Sequence, residues 1–168
     1  KEPPLTWKAR SSSVPELSGI SPATGVASFY EKLRKVESRA AKLSKSEDPK
    51  IFSFGGIPMA SAISGLSPYE GSYCKFQWMD LCPQGVLLND LAAIQNNSPD
   101  VIVIEEIPDS VISLHEMEFL KETSEVRKYY SYAYSQVRLG KWVKVGTLKQ
   151  SQGNLVISVY YSTEQKIN

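Results

Sequence analysis

The stretch Asp100-Val101-Ile102-Val103-Ile104-Glu105-Glu106-Ile107-Pro108 restricts the fold more than any other part of this chain. Its four consecutive β-branched residues favour extended backbone, and an apolar run without polar alternation suits a strand covered on both faces. Two carboxylates and a proline close it. Immediately upstream, Leu87 to Asn96 carries apolar residues at helical spacing and ends in Asn96-Asn97-Ser98-Pro99. A helix feeding such a run reads as the second half of a βαβ unit, with residues 101–104 at the centre of a parallel sheet.

The segments on either side extend this pattern. Val26, Phe29, Tyr30, Leu33, Val36, Ala40 and Leu43 share one helical face, while Lys32, Arg34, Lys35, Arg39 and Lys42 cover the other, interrupted by Glu31 and Glu37. Residues 50–54 then form a short strand ending in Gly55-Gly56, followed by a small-residue helix from Met59 to Ser64 that Gly65 ends. Alternation from Tyr73 to Trp78 suits a further strand, with Asp80 just past its end. After the central run, Asp109 to about Lys128 reads as helical. Tyr130, Tyr132 and Tyr134 alternate, so residues 129–139 read as a strand. Gly140-Lys141 and Gly153-Asn154 turn the chain into two more strands, 142–148 and 155–161. The expectation is an α/β fold: a three-layer Rossmann-like sheet, mainly parallel, with antiparallel C-terminal strands.

Residues 1–25 hold four prolines, five serines and two glycines without a sustained apolar period. They read as an extended lead-in, pinned in places by Trp7, Val14, Leu17 and Ile20, and residues 26–168 as one α/β domain. A net charge of +1 from 19 basic and 18 acidic residues gives no long-range field toward nucleic acid, so no nucleic-acid partner is expected. No apolar stretch reaches the ~18–20 residues of a membrane span, and Lys1-Glu2-Pro3-Pro4 lacks signal-peptide features, so the chain reads as an excised soluble piece.

Cys74 and Cys82 lie eight positions apart. With one histidine in the chain they have no second pair of ligands, so no metal site and no cofactor is expected. They suit either a disulfide, if the chain folds back between them in an oxidising compartment, or two buried thiols. Gly55-Gly56-Ile57-Pro58 sits where a phosphate-cradling loop would follow a first strand. It has neither the dinucleotide fingerprint nor a P-loop lysine, and Pro58 removes an N–H donor. His115 has no second histidine four residues away for a metalloprotease helix.

Three acids are candidates for a crevice. Glu105 and Glu106 follow the C-terminal end of the central strand, where open α/β sheets collect ligands, and Asp80 follows its neighbour. Glu105 and Glu106 are adjacent on extended backbone and point opposite ways, so they do not form an acid–base pair. Tyr132, Tyr134 and Trp142 are candidates for an aromatic sugar platform, because flat rings stack on sugar C–H faces. The other reading of these aromatics is as sheet filling.

The succession Leu17-Ser18-Gly19-Ile20, amphipathic helix, Lys50-Ile51-Phe52-Ser53-Phe54-Gly55 and Gly65-Leu66-Ser67-Pro68-Tyr69 resembles the soluble C-terminal region of bacterial multi-pass membrane glycosyltransferases. So does the continuation Trp78-Met79-Asp80-Leu81-Cys82, helix, Asn97-Ser98-Pro99-Asp100-Val101-Ile102-Val103-Ile104. These are lipid-phosphate-sugar-dependent enzymes of the protein-mannosyltransferase and arabinosyltransferase type, and the likeness runs over residues 17–146. It implies an extracytoplasmic domain that is not itself catalytic, since the family's catalytic acids lie in membrane-proximal loops. The implied partners are the membrane-embedded part of the same polypeptide and a carbohydrate or protein acceptor. The alternatives from the residues alone are a free-standing α/β enzyme with an acidic crevice and a protein-interaction module.

Overall fold

The computed structural model describes residues 24–55, 60–69, 86–117, 125–150 and 155–164. The strand expected over 73–78, Asp80, Cys74, Cys82 and nearly all of the lead-in lie outside the described residues.

Helix α1 (Thr24–Ser44) precedes strand β1 (Lys50–Phe54), the short helix α2 (Ala60–Ser64) and the two-residue strand β2 (Ser67–Pro68). Then come α3 (Val86–Asn96), β3 (Val101–Glu105), α4 (Asp109–His115), α5 (Glu125–Arg138), β4 (Trp142–Lys149) and β5 (Val156–Ser162). The five strands form one mixed sheet in the order β2-β1-β3-β5-β4. β1 is parallel to β2 and β3, while β5 is antiparallel to both β3 and β4.

β3 is the middle strand, and Val101 to Ile104 are all fully buried, as the apolar run requires. Its neighbours make the sheet mixed: the expected antiparallel C-terminal strands are present, β5 running against both β3 and β4, and parallel pairing is limited to β2, β1 and β3. The β4–β5 antiparallel pair arrives from the C-terminal side and fills the edge of β3 that a further crossover would otherwise occupy.

Alternate β3 residues face opposite sides, and two apolar clusters divide accordingly. Ile102 and Ile104, with Phe52, Phe54, Trp142 and Tyr160, pack against Ile94 of α3, Ile112 of α4, and Tyr129, Tyr130 and Ala133 of α5. Val101 and Val103, with Ile51, Ile157 and Val159, pack against Phe29, Leu33 and Ala40 of α1 and Ala60 of α2. β2 is short because Pro68 has no N–H to continue a ladder and is tolerated at a sheet edge. Its neighbour Tyr69 reaches across instead, its hydroxyl donating to the Asn97 carbonyl at 2.6 Å with the Ala93 carbonyl at 3.0 Å. The Ala93 carbonyl also accepts the Asn97 N–H at 3.0 Å, so the Tyr69 hydroxyl caps the last turn of α3.

The region from Glu125 to Arg138 is helical, which overturns the expected strand over 129–139. Val126, Tyr129, Tyr130, Ala133 and Val137 recur at helical spacing and supply the face packed on the sheet. Gly140, at φ 72°, ends the helix. The Gly140 N–H donates to the Val137 carbonyl at 3.1 Å and the Lys141 N–H to the Gln136 carbonyl at 3.0 Å, the two bonds of a Schellman cap. Arg127 ties α5 to α4, donating to Glu116 (2.7 Å), Asp109 (2.5 Å) and Ser113 (2.8 Å).

Candidate functional site

The parallel strands follow the order 2-1-3, so successive crossovers leave β1 toward opposite sides and part at the carboxyl ends of β1 and β3. That is where open α/β sheets form a crevice. Gly55 and Glu105 stand there, one on each strand end. Gly55 has φ 108°, and a Cβ added to it would lie 2.4 Å from the Glu105 Cβ, 2.6 Å from a Glu105 carboxylate oxygen and 3.0 Å from the Tyr130 hydroxyl. Only glycine fits both that backbone and that approach. The glycine after the first strand therefore makes room for a carboxylate of the same chain.

Glu106 turns toward α5 and the antiparallel strands. It accepts a hydrogen bond from the Tyr134 hydroxyl at 2.9 Å and another from the Tyr160 hydroxyl at 3.4 Å. The Lys144 ammonium stands 3.7 Å from the same carboxylate and 5.4 Å from the centre of the Tyr160 ring. Beside them Thr147 and Ser158, paired across β4 and β5, share a hydrogen bond of 2.8 Å. Three donors from three elements thus converge on one carboxylate at the carboxyl edge.

The hydroxyls around it are held protonated. Burial pushes Tyr134 up, and the bond to Glu106 and its charge push it further. Burial raises Tyr130 well above its ordinary value, with Glu105, Tyr134 and Glu106 adding to the effect. Tyr160 is raised by burial and Glu106, against an opposing pull from Lys144. Adjacent strand residues point apart, yet both carboxylates lie near enough to act on Tyr130. Its hydroxyl is buried and makes no hydrogen bond among the described residues.

The three aromatics expected to form one platform are placed differently. Trp142 is 1% exposed, and its indole N–H donates to the buried Ser98 hydroxyl at 3.0 Å. Tyr132 meets the Trp142 ring edge-on at 5.9 Å between centroids, and Tyr134 faces Tyr130 and Glu106. Trp142 offers no face to a ligand because it packs the core cluster beneath α5. Of these three, only Tyr134 joins the carboxyl-edge cluster. The expectation missed Lys144, Tyr160 and Tyr130, which lie from 24 to 54 residues from Glu106 in the chain and become neighbours only through the sheet order. No local spacing could have announced them.

A concavity of about 740 Å³ lies at the opposite edge, between the end of α1, Asp100 and the end of β5. Three of its four carboxylates are engaged. Asp48 pairs with Lys50 at 2.6 Å, Asp100 accepts from the Lys50 N–H at 2.8 Å, and Glu164 pairs with Lys141 at 2.7 Å. Among the described residues, no group of three or more His, Cys, Asp or Glu side chains is arranged to hold a metal ion, and no helix is long and apolar enough to cross a membrane.

No protein-family model, curated protein or solved structure matches the chain.

Proposed function

We propose that this chain is a non-catalytic extracytoplasmic domain of a bacterial multi-pass membrane glycosyltransferase, in which the ring around Glu106 holds the hydroxyl groups of a carbohydrate acceptor. The observation that carries the ligand class is the convergence of Tyr134, Tyr160 and Lys144 on Glu106 at the carboxyl edge. Glu106, Tyr134 and Lys144 are the partly exposed members and match a sugar ring's alternation of O–H donors and acceptors, while Tyr160, 1% exposed, holds Glu106 from the core side. Burial keeps the tyrosines protonated, so the ring binds through fixed hydrogen bonds rather than by relaying protons. The transferase origin rests on the sequence resemblance over residues 17–146. The finer architecture is a three-layer Rossmann-like one, and the support for it is the pair of apolar clusters, one on each face of the sheet.

Two measurements test the proposal. Titration of the chain with short mannose or arabinose oligosaccharides, followed by NMR, is expected to shift the signals of Glu106, Tyr134, Lys144 and Tyr160. Shifts confined to other surfaces, or none at saturating sugar, would refute the ligand assignment. The transferase origin predicts a reading frame upstream of Lys1 encoding around ten hydrophobic spans of ~20 residues each. A frame without them would remove it.

A further inference from the structure

Helix α1 is charged unlike the rest of the chain. Its 21 residues hold five of the 19 basic side chains and two of the 18 acidic ones, and one of those two, Glu37, is buried. The remainder therefore carries more acids than bases. The cations are also ordered. Lys32, Lys35, Arg39 and Lys42 follow each other at spacings of three, four and three, which lines them up along one side of the helix over about 15 Å. All four are exposed, and none takes part in an ion pair among the described residues. The stripe lies away from Phe29, Leu33 and Ala40, which bind α1 to the sheet. It ends beside Leu43, a large apolar side chain left 42% exposed.

A straight row of ammonium and guanidinium groups ending in an exposed leucine complements a surface whose phosphates lie in a plane above an apolar layer. Each cation brought near an anionic bilayer strengthens binding about fivefold, and long side chains let the helix rest at headgroup level while a leucine dips below it. Nucleic acid offers phosphates but no layer for Leu43, and the chain's near-neutral charge supplies no wider field toward it.

We infer that the outer stripe of α1, Lys32, Lys35, Arg39 and Lys42 with Leu43, docks on anionic phospholipid headgroups and holds the domain against the bilayer. The inference rests on the reading of the chain as a membrane-tethered domain, since a single stripe of this strength needs a tether for lasting residence. It gives α1 a partner distinct from the carboxyl-edge site, which lies on the other side of the sheet.

The test is sedimentation of the 168-residue chain with vesicles of phosphatidylcholine containing about one-third phosphatidylglycerol, at low and high salt. Binding is expected with the mixed vesicles at low salt, loss in high salt, and none with phosphatidylcholine alone. The double variant Lys35→Gln/Arg39→Gln should weaken binding about 30-fold, and Arg39→Lys should retain it. Substituting the exposed Lys128 and Arg138 of α5 to Gln should leave it unchanged. All variants alter exposed side chains, and an unchanged thermal midpoint verifies the fold. Failure to bind the mixed vesicles, equal loss in the α5 variant, or tighter binding to duplex DNA than to vesicles at the same salt would overturn the inference. Each of those outcomes leaves the sugar titration free to succeed or fail by itself, so the two assignments are separable.

Discussion

Glu37→Leu is expected to stabilise this protein, by an amount that grows with pH. Glu37 is fully buried in the middle of the α1 stripe made by Phe29, Leu33 and Ala40, where every neighbouring inward position is apolar. Neither carboxylate oxygen makes a hydrogen bond among the described residues. Burial pushes its pKa from 4.5 up to about 8, and the charge of Arg34, one turn away, offsets this only in part. Between these two values the unfolded chain has released the proton while the folded chain retains it. The folded state therefore binds more protons, and stability falls as pH rises through that window.

The slope from this one group is about 1.4 kcal/mol per pH unit, which accumulates to about 3 kcal/mol at pH 7 and about 5 kcal/mol above pH 8. Against a total stability of about 5–15 kcal/mol for a domain, that is a large fraction. Urea denaturation of the wild type and Glu37→Leu from pH 4.5 to 8.5 isolates it, because the remaining carboxylates contribute equally to both and cancel in the difference. With a denaturant slope of about 2 kcal/mol/M, the two midpoints should diverge by about 0.7 M per pH unit. The divergence should stop near pH 8, where the folded group itself ionises. Midpoints that run parallel across the window, or converge as pH rises, would refute the assignment of Glu37 as a buried carboxyl without a partner.

Gly55→Ala should destabilise by at least about 2 kcal/mol in thermal or urea unfolding, since a Cβ there overlaps Glu105 and the backbone is left-handed. Wild-type stability in Gly55→Ala would show that β1 and β3 do not close on each other at that end. Ser98→Ala removes the acceptor of the buried Trp142 indole N–H and should cost about 1–3 kcal/mol, with a shift of the tryptophan emission band as a second readout. Spectrophotometric titration should show Tyr130 and Tyr134 still protonated past the ordinary value of 10.0, ionising only as alkali unfolds the chain. Because the unfolded tyrosines release their protons first, their contribution to stability is lost as pH rises above that value, and full ionisation at the ordinary value would remove the ring around Glu106.

The central run and the Tyr-rich helix show which elements the residues reveal and which they conceal. Val101 to Ile104 are apolar at every position, and burial on both faces is the one arrangement that satisfies all four, so the strand and its central place are legible from composition alone. Its direction relative to its neighbours is not, because β3 accepts either a parallel or an antiparallel partner through the same backbone groups. In α5, two periods coexist. Tyr130, Tyr132 and Tyr134 alternate, while Val126, Tyr129, Tyr130, Ala133 and Val137 follow the helical one. Tyrosine's large apolar body makes the alternating set conspicuous, but its hydroxyl allows Tyr132 and Tyr134 to stay half-exposed, so alternation at those positions says nothing of a sheet face. The deciding signal was length together with Gly140, for a 14-residue helix capped by a left-handed glycine outlasts any strand of ordinary size. The same ambiguity hid the site. With 129–139 taken as a strand, Tyr134 sits on a sheet face beside Trp142, whereas on a helix laid across the sheet it meets the Glu106 carboxylate at the strand ends. The helical path of α5 is therefore what brings a Tyr134 hydroxyl from a row of aromatics onto one acid.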